Sequence, residues 1–407
     1  MSLRVIRNTV ILATLVILAA VIGYTFGQRS VTVQSGQLEL GMMWRVKDKL
    51  AEVFLEREAM DDKTMTYGAI KGMVDSLGDP YTVFLTPDEN KNQNEDLAGE
   101  FGGVGIQLGY KDGTLAIMAP LAKTPADRAG LRAGDLILKI MDKANNIDKD
   151  TAGISLNEAV LLIRGKIGTE VTLKIFRDDI KETFDVTLKR ENIVVASIEM
   201  EWKEVAGKRV AWIKLNKFTE RLYLEWPEIV NKILAVNSGS DYGGIVLDLR
   251  NNPGGYLQAS VMVGSEFINE GMIVTQKASD GSEEEYPVDK SRRKLLEDKM
   301  VILVNGGSAS ASEILAGALQ EYKRGKLVGE KTFGKGTVQQ PENFRDGSGL
   351  HVTIAKWLLP SGKNIHKEGV TPDFEIKPEK TVVSEDKPKA DTKDIQLDKA
   401  IEILLKE

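Results

Sequence analysis

The stretch Val301-Ile302-Leu303-Val304-Asn305-Gly306-Gly307-Ser308-Ala309-Ser310-Ala311-Ser312-Glu313-Ile314 decides how the rest of the chain is read. It opens on four apolar, mostly β-branched residues, the pattern of a buried strand. Asn305, Gly306 and Gly307 break that strand. A helix is expected after them, with apolar or small residues at Ile314, Leu315, Ala318 and Leu319. Ser310-Ala311-Ser312-Glu313 fits the capping box, a Ser or Thr followed three residues later by Glu. Ser310 is therefore expected where a strand turns sharply into a helix N-terminus. A hydroxyl there lies beside unpaired backbone N–H groups and the positive end of the helix dipole, the donors that an oxyanion needs.

A nucleophilic serine also needs a base. The chain has two histidines, His351 and His366, and neither has an acidic neighbour that suggests a triad. The alternative is a lysine held neutral by burial. Lys331-Thr332-Phe333-Gly334-Lys335-Gly336-Thr337-Val338-Gln339 offers one. The glycines beside Lys335 let the backbone approach closely and leave the amine poorly solvated. Thr337 and Val338 continue as a strand. Alone, the Ser-x-x-Glu pattern is more often a plain helix cap, and a lysine more often solvated; the order and spacing of the two together point to chemistry. Ser308, Ser312 and Lys331 are the competing assignments. Lys356 is a further rival, on an alternating strand where it would face solvent.

The run Ser308 to Glu313 followed by Thr332 to Gln339 resembles the carboxyl-terminal processing proteases, also called tail-specific proteases. The resemblance covers nearly the whole chain after its N-terminal segment. It implies a serine endopeptidase with a Ser/Lys dyad, a PDZ domain inserted before the core, and no cofactor. By motif it implies Ser310 as nucleophile, Lys335 as general base and Gln339 as the residue that orients the lysine. Asp248-Leu249-Arg250-Asn251-Asn252-Pro253-Gly254-Gly255 is similar to the family segment that gives a backbone N–H to the oxyanion hole. Gly254 and Gly255 both fit that role, with Tyr256 close by, and the N–H of Ala311 is the implied second donor.

Composition is compatible with this. The 407 residues, 42% of them hydrophobic, can fill two or three domains. A formal net charge of -6 gives no support to a nucleic-acid partner. The chain has no cysteine, which excludes disulfides, thiol catalysis and a zinc–thiolate site, and its two histidines lack ligand spacing, so no metal is expected.

Taken in order, residues 1–27 place Arg4 and Arg7 before an uncharged apolar run from Thr9 to Phe26. This reads first as an uncleaved membrane anchor and second as a cleaved signal peptide. The positive-inside rule then puts the rest of the chain outside the cytoplasm, in the bacterial cell envelope or periplasm. Residues 36–96 read as mostly helical, with a second helical pattern that stops at Gly78-Asp79-Pro80, a rigid corner with Tyr81. Residues 97–190 resemble a PDZ domain, a β-sandwich with two helices. Gly102, Gly103, Val104, Gly105 and Ile106 would form its loop for a peptide's terminal carboxylate, because consecutive glycines turn backbone N–H groups toward one point. Leu161 and Leu162 fit either its peptide pocket or its core. Residues 191–376 repeat strand, Gly/Asn turn and helix, which implies an α/β core with helices packed on a sheet. Residues 377–393 read as a flexible linker. Residues 394–407 read as an amphipathic helix that either docks on the core or self-associates. Expected partners are proteins or peptides with accessible C-terminal tails, the membrane, and a second copy through the terminal helices. The rival reading is a membrane-tethered PDZ scaffold that binds tails without cutting; it predicts a missing Ser, Lys or glycine turn, and none is missing.

Overall fold

A computed structural model describes residues 40–121, 123–377 and 394–406. The apolar run within 1–27, and all but the first residue of the 377–393 segment, lie outside them. Among the described residues no helix is long and apolar enough to cross a membrane. The chain divides into two compact units, Met1–Ala69 and Ile70–Glu407. In the first, helix α1 (Leu40–Val53) has no buried residue, and Leu40, Met43, Trp44 and Leu50 are exposed. Helix α2 (Asp62–Asp75) runs across the boundary.

The second unit begins at the expected corner. Asp79 accepts from the Tyr81 N–H at 3.1 Å and from the Thr82 hydroxyl at 2.7 Å. Strand β1 (Val83–Leu85) follows, then helix α3 (Pro87–Ala98). Pro87 at its first turn and Glu89 reaching back to the Thr86 N–H start that helix. Strand β2 (Glu100–Gly103) then leads into the PDZ unit, whose strands are β3 (Ile106–Lys111), β4 (Thr114–Pro120), β5 (Leu136–Asp142), β6 (Ile147–Asp150), β7 (Glu170–Arg177) and β8 (Glu182–Lys189). Their order is β3-β4-β5-β7-β8, with β6 on β5, so β3 is an edge strand. Helices α4 (Pro125–Arg128) and α5 (Leu156–Ile163) close the core over Leu115, Ile117, Ile140 and Leu173. Strand β9 (Glu191–Val194) pairs antiparallel with β2. A buried ion pair, Arg190 to Asp142 at 2.8 Å, ties the unit together. Its guanidinium also donates to the Ile163, Leu162 and Glu170 carbonyls, which satisfies a cation taken out of water.

The remaining chain builds two sheets. Strands β10 (Ile198–Val205), β11 (Lys208–Leu215) and β12 (Tyr242–Asp248) surround helix α6 (Leu222–Leu234) in sequence, and helix α7 (Leu257–Phe267) follows. Strands β13 (Met272–Ala278) and β14 (Glu283–Pro287) come next, then β15 (Met300–Val304), helix α8 (Ala311–Glu321), β16 (Lys326–Gly329), β17 (Thr337–Asn343), β18 (Gly349–Leu358), β19 (Phe374–Glu375) and helix α9 (Ile395–Lys406). The main sheet runs β10-β11-β12-β15-β16-β19 and is parallel from β11 onward. Its central strands read as continuous apolar runs because both faces are covered. Ala211, Ile213, Ile245, Leu247 and Ile302 point to α6, α7 and α8. Val210, Val246, Val301 and Leu303 point the other way, onto Leu397, Ala400, Ile401 and Leu404 of α9. The C-terminal helix thus docks on its own core, and that burial removes the apolar face that self-association through it would need. The second sheet is antiparallel, β1-β18-β13-β14 with β17 on β18.

Candidate active site

Strands β12 and β15 lie side by side, and the turns at their C-terminal ends meet. This is where a parallel sheet opens a crevice for ligands. Leu249 to Tyr256 follow β12; Asn305 to Ser310 follow β15. The two turns are bonded to each other along their length. The Asn251 backbone N–H donates to Asn305 Oδ1 at 2.8 Å, and Asn305 Nδ2 donates to Asn251 Oδ1 at 3.0 Å. The Ala309 N–H donates to the Asn252 carbonyl at 3.0 Å. Ser308 Oγ donates to the Leu249 carbonyl at 2.8 Å, and Ser312 Oγ to the Asn252 carbonyl at 2.9 Å. Both of those serines are fully buried. Their hydroxyls are engaged in holding the two turns together. Ser310 is different: its side chain serves the capping box at the start of α8, and it lines an open cleft.

Ser310 sits at the N-cap of α8 with φ 56° and ψ −117°, a conformation that costs a non-glycine residue about 1–3 kcal/mol. The neighbouring turn makes room for it. A Cβ on Gly254 would fall 2.8 Å from the Ser310 Cβ and 2.8 Å from the Ala309 carbonyl. Gly254 has φ 100°, so backbone and space both demand glycine there. Its N–H donates to Asn252 Oδ1 at 2.9 Å. The Gly255 and Ala311 N–H groups make no hydrogen bond among the described residues. Of the two glycines, Gly254 shapes the elbow, and Gly255 holds the free donor.

Glu313 does more than cap the helix. It is fully buried and joins the serine turn to the lysine loop. Its Oε2 accepts from the Ser310 N–H at 2.9 Å and from the Lys335 N–H at 2.8 Å. Its Oε1 accepts from the Thr332 hydroxyl at 2.5 Å and the Gly334 N–H at 2.6 Å. One carboxylate therefore fixes the backbone of both residues. The loop is also pressed against the chain near His366, where a Cβ on Gly336 would meet the His366 N at 2.4 Å.

Lys335 lines the same cleft. Burial pushes its amine below the ordinary lysine range, while the Asp79 carboxylate acts weakly the other way. Its Nζ lies 4.9 Å over the Tyr81 ring and makes no hydrogen bond to Ser310. The rivals Lys331 and Lys356 are exposed. Gln339 also lines the cleft, and its amide donates to the Thr337 and Thr353 hydroxyls rather than to Lys335. His351 is in the cleft beside Gln93, with no carboxylate partner; burial and then Lys335 lower its proton affinity. The Asp79-Pro80-Tyr81 corner was expected only as a helix stop, yet it supplies the ring under Lys335. Nothing local in sequence signals that, because the contact joins distant parts of the chain. Lys217, a second cleft lysine, was likewise not singled out.

The cleft has a volume of about 950 Å³ and runs from Ser310 to Leu161 of the PDZ helix α5 and Arg164 just after it. Leu161 is exposed toward it, whereas Leu162 packs on the PDZ core. In the PDZ loop, Gly102 and Gly103 belong to β2 and pair with Asn192 and Glu191. Val104 and Gly105 form the turn, and Ile106 starts the edge strand β3.

Known proteins agree with this arrangement. Peptidase family S41 matches residues 209–376, and the PDZ domain matches residues 102–188. The carboxy-terminal processing protease CtpA of Bacillus subtilis (strain 168) is 34% identical over 368 residues, 89% of this chain and 75% of that protein. A probable CtpA-like serine protease of Staphylococcus aureus (strain COL) is 41% identical over 317 residues, 78% of this chain and 61% of that one. The solved structure of the photosystem II D1 C-terminal processing protease matches with a TM-score of 0.52 at 30% identity, covering 88% of this chain and 90% of that one. These relatives favour a cutting enzyme over a scaffold that only binds. The chain belongs to the carboxy-terminal processing proteases, the PDZ-bearing serine peptidases of family S41.

Proposed function

We propose that the chain is an endopeptidase that takes the C-terminal tail of a protein substrate on its PDZ unit and cuts it with Ser310 and Lys335. The observation that carries this is the Ser310 hydroxyl at a strained elbow, opening on the same cleft as half-buried Lys335. Neutral Lys335 takes the Ser310 proton as Oγ attacks the peptide carbonyl carbon. For that transfer Nζ must leave the Tyr81 ring and come within about 2.6–3.2 Å of Oγ. The tetrahedral oxyanion is held by the N–H groups of Ala311 and Gly255, with Gly254 leaving the space between them. The leaving amine takes a proton from Lys335, and water then hydrolyses the acyl-enzyme. Gln339 orients Lys335 in the engaged state. Val104, Gly105 and Ile106, supported by Gly102 and Gly103, receive the tail's carboxylate, and the tail adds to the edge of β3. The units are residues 36–96, 97–190, 191–376 and 394–407, joined across 377–393. Residues 1–27 hold the enzyme on the outer side of a bacterial inner membrane, or are cleaved after export. The exposed apolar residues of α1 suit association with a second copy.

A serine-directed fluorophosphonate tests the centre directly. Mass spectrometry should find the label on Ser310; label on Ser308 or Ser312, or on none of the three, contradicts the assignment. Cell fractionation tests the placement: the chain should be reached by protease added outside the inner membrane, and retention in the cytoplasm overturns that part.

A further inference from the structure

Among the described residues that line the cleft, Lys217 is a cation that neither the fold nor the proposed chemistry uses. Lys217 follows β11, and the next residue, Phe218, is fully buried and bonded to the glycine turn. The Phe218 N–H donates to the Gly254 carbonyl at 2.9 Å, and the Tyr256 N–H donates to the Phe218 carbonyl at 2.8 Å. Lys217 is thus held in register with the glycines beside Ser310, and it lines the same cleft. Its ammonium makes no hydrogen bond or ion pair among the described residues. The acidic groups nearby are already engaged. Asp96 pairs with Arg164 at 2.9 Å, and Glu89 with Lys71 at 2.7 Å. Arg164 is committed twice, since its guanidinium also stacks 3.8 Å over the Phe101 ring. Lys335 has the Tyr81 ring and a role in the chemistry. Half-buried Lys217 has neither, and burial together with Arg164 opposes its charge, while Asp96 offsets this in part. A cation desolvated without an anion is unfavourable, and an anionic ligand reverses that.

We propose that Lys217 forms a carboxylate-binding subsite of the cleft and holds a negative group of the bound peptide close to the scissile bond. This rests on the reading of the cleft as the peptide-cutting site. The group is either an acidic side chain within the peptide or a free α-carboxylate. The charge-assisted bond forms at a half-buried ammonium, so it contributes to selection as well as affinity.

The test uses the full chain carrying Ser310→Ala, so that binding is read without turnover, with and without Lys217→Met. Fluorescence anisotropy compares fluorescent peptides in two arms. One arm exchanges a single Gln for Glu at successive positions of a C-terminally amidated peptide. The other compares free and amidated C-termini on a peptide without acidic side chains. Binding should tighten about tenfold for one Glu position, or the free-terminus preference should exceed the part the PDZ loop supplies, and Lys217→Met should abolish the Glu gain or reduce the free-terminus preference. The arm that responds identifies the source of the carboxylate. Lys217→Glu should invert the preference toward a Lys-containing peptide, which separates loss of charge recognition from misfolding. If no carboxylate preference exists, or if Lys217→Met changes neither the Glu gain nor the free-terminus preference, the subsite is refuted. Cleavage by the chain with Ser310 intact is measured in parallel: failure to cut with a Lys217-dependent preference retained would overturn the protease reading and leave the subsite standing.

Discussion

As the proposed general base, Lys335 must be neutral, and its surroundings set when it is. Burial lowers its proton affinity and Asp79 raises it. Activity should therefore rise with pH through a value below the ordinary lysine pKa of about 10.4 and level off above it. Asp79→Asn removes the opposing charge while keeping an acceptor for the Tyr81 N–H, so the rising limb of kcat/KM against pH should move to lower pH. A limb that stays put or moves up would mean that Asp79 does not act on Lys335. Glu313 acts through geometry. An amide at this position presents a donor to a ring of donors, so Glu313→Gln should misplace both dyad backbones and lower kcat by on the order of 10²-fold with KM little changed. Steady-state kinetics on one peptide reads that split. Ser310 and Lys335 could be proposed from sequence because each sits in a local pattern that chemistry explains. Glu313 was legible only as a helix cap, since its bonds to Thr332, Gly334 and Lys335 depend on how two loops meet.

Elements position these residues, and the glycine turn after β12 is the tightest. Gly254→Ala would place a methyl group 2.8 Å from the Ala309 carbonyl and from the Ser310 Cβ, at a φ of 100°. The two turns must then part, and kcat should fall by on the order of 10²-fold while peptide binding to the PDZ unit persists. Equal loss of both would point to global damage instead. The same turn is braced from the opposite face of the sheet. Arg250 donates to Asp248 at 2.6 Å and to Asp394 at 2.7 Å, which joins the glycine turn to the start of α9. Leu404, fully buried under the sheet, should cost about 2–5 kcal/mol when changed to Ala, read as a lower urea midpoint. The elements themselves were largely visible in sequence: Val301 to Val304 as a buried strand, Gly/Asn turns, and apolar spacing in α8. Sequence left α9 open between docking and self-association because an amphipathic face does not name what covers it.

At the scale of the whole molecule, one cleft brings together α3, the PDZ helix α5, the glycine turn, the serine elbow and the lysine loop. The parts were readable one at a time. Their convergence was not, because pairs such as Tyr81 with Lys335, or Phe218 with Gly254, are set by the packing of distant segments and leave no periodic trace. The central claim is that Ser310 and Lys335 together cut peptide bonds in that cleft. The most direct measurement is degradation of an unfolded protein by the unmodified chain, Ser310→Ala and Lys335→Ala, all shown to be folded and to bind the same peptide. Cutting by the first alone is the predicted result; equal cutting by all three would contradict the assignment.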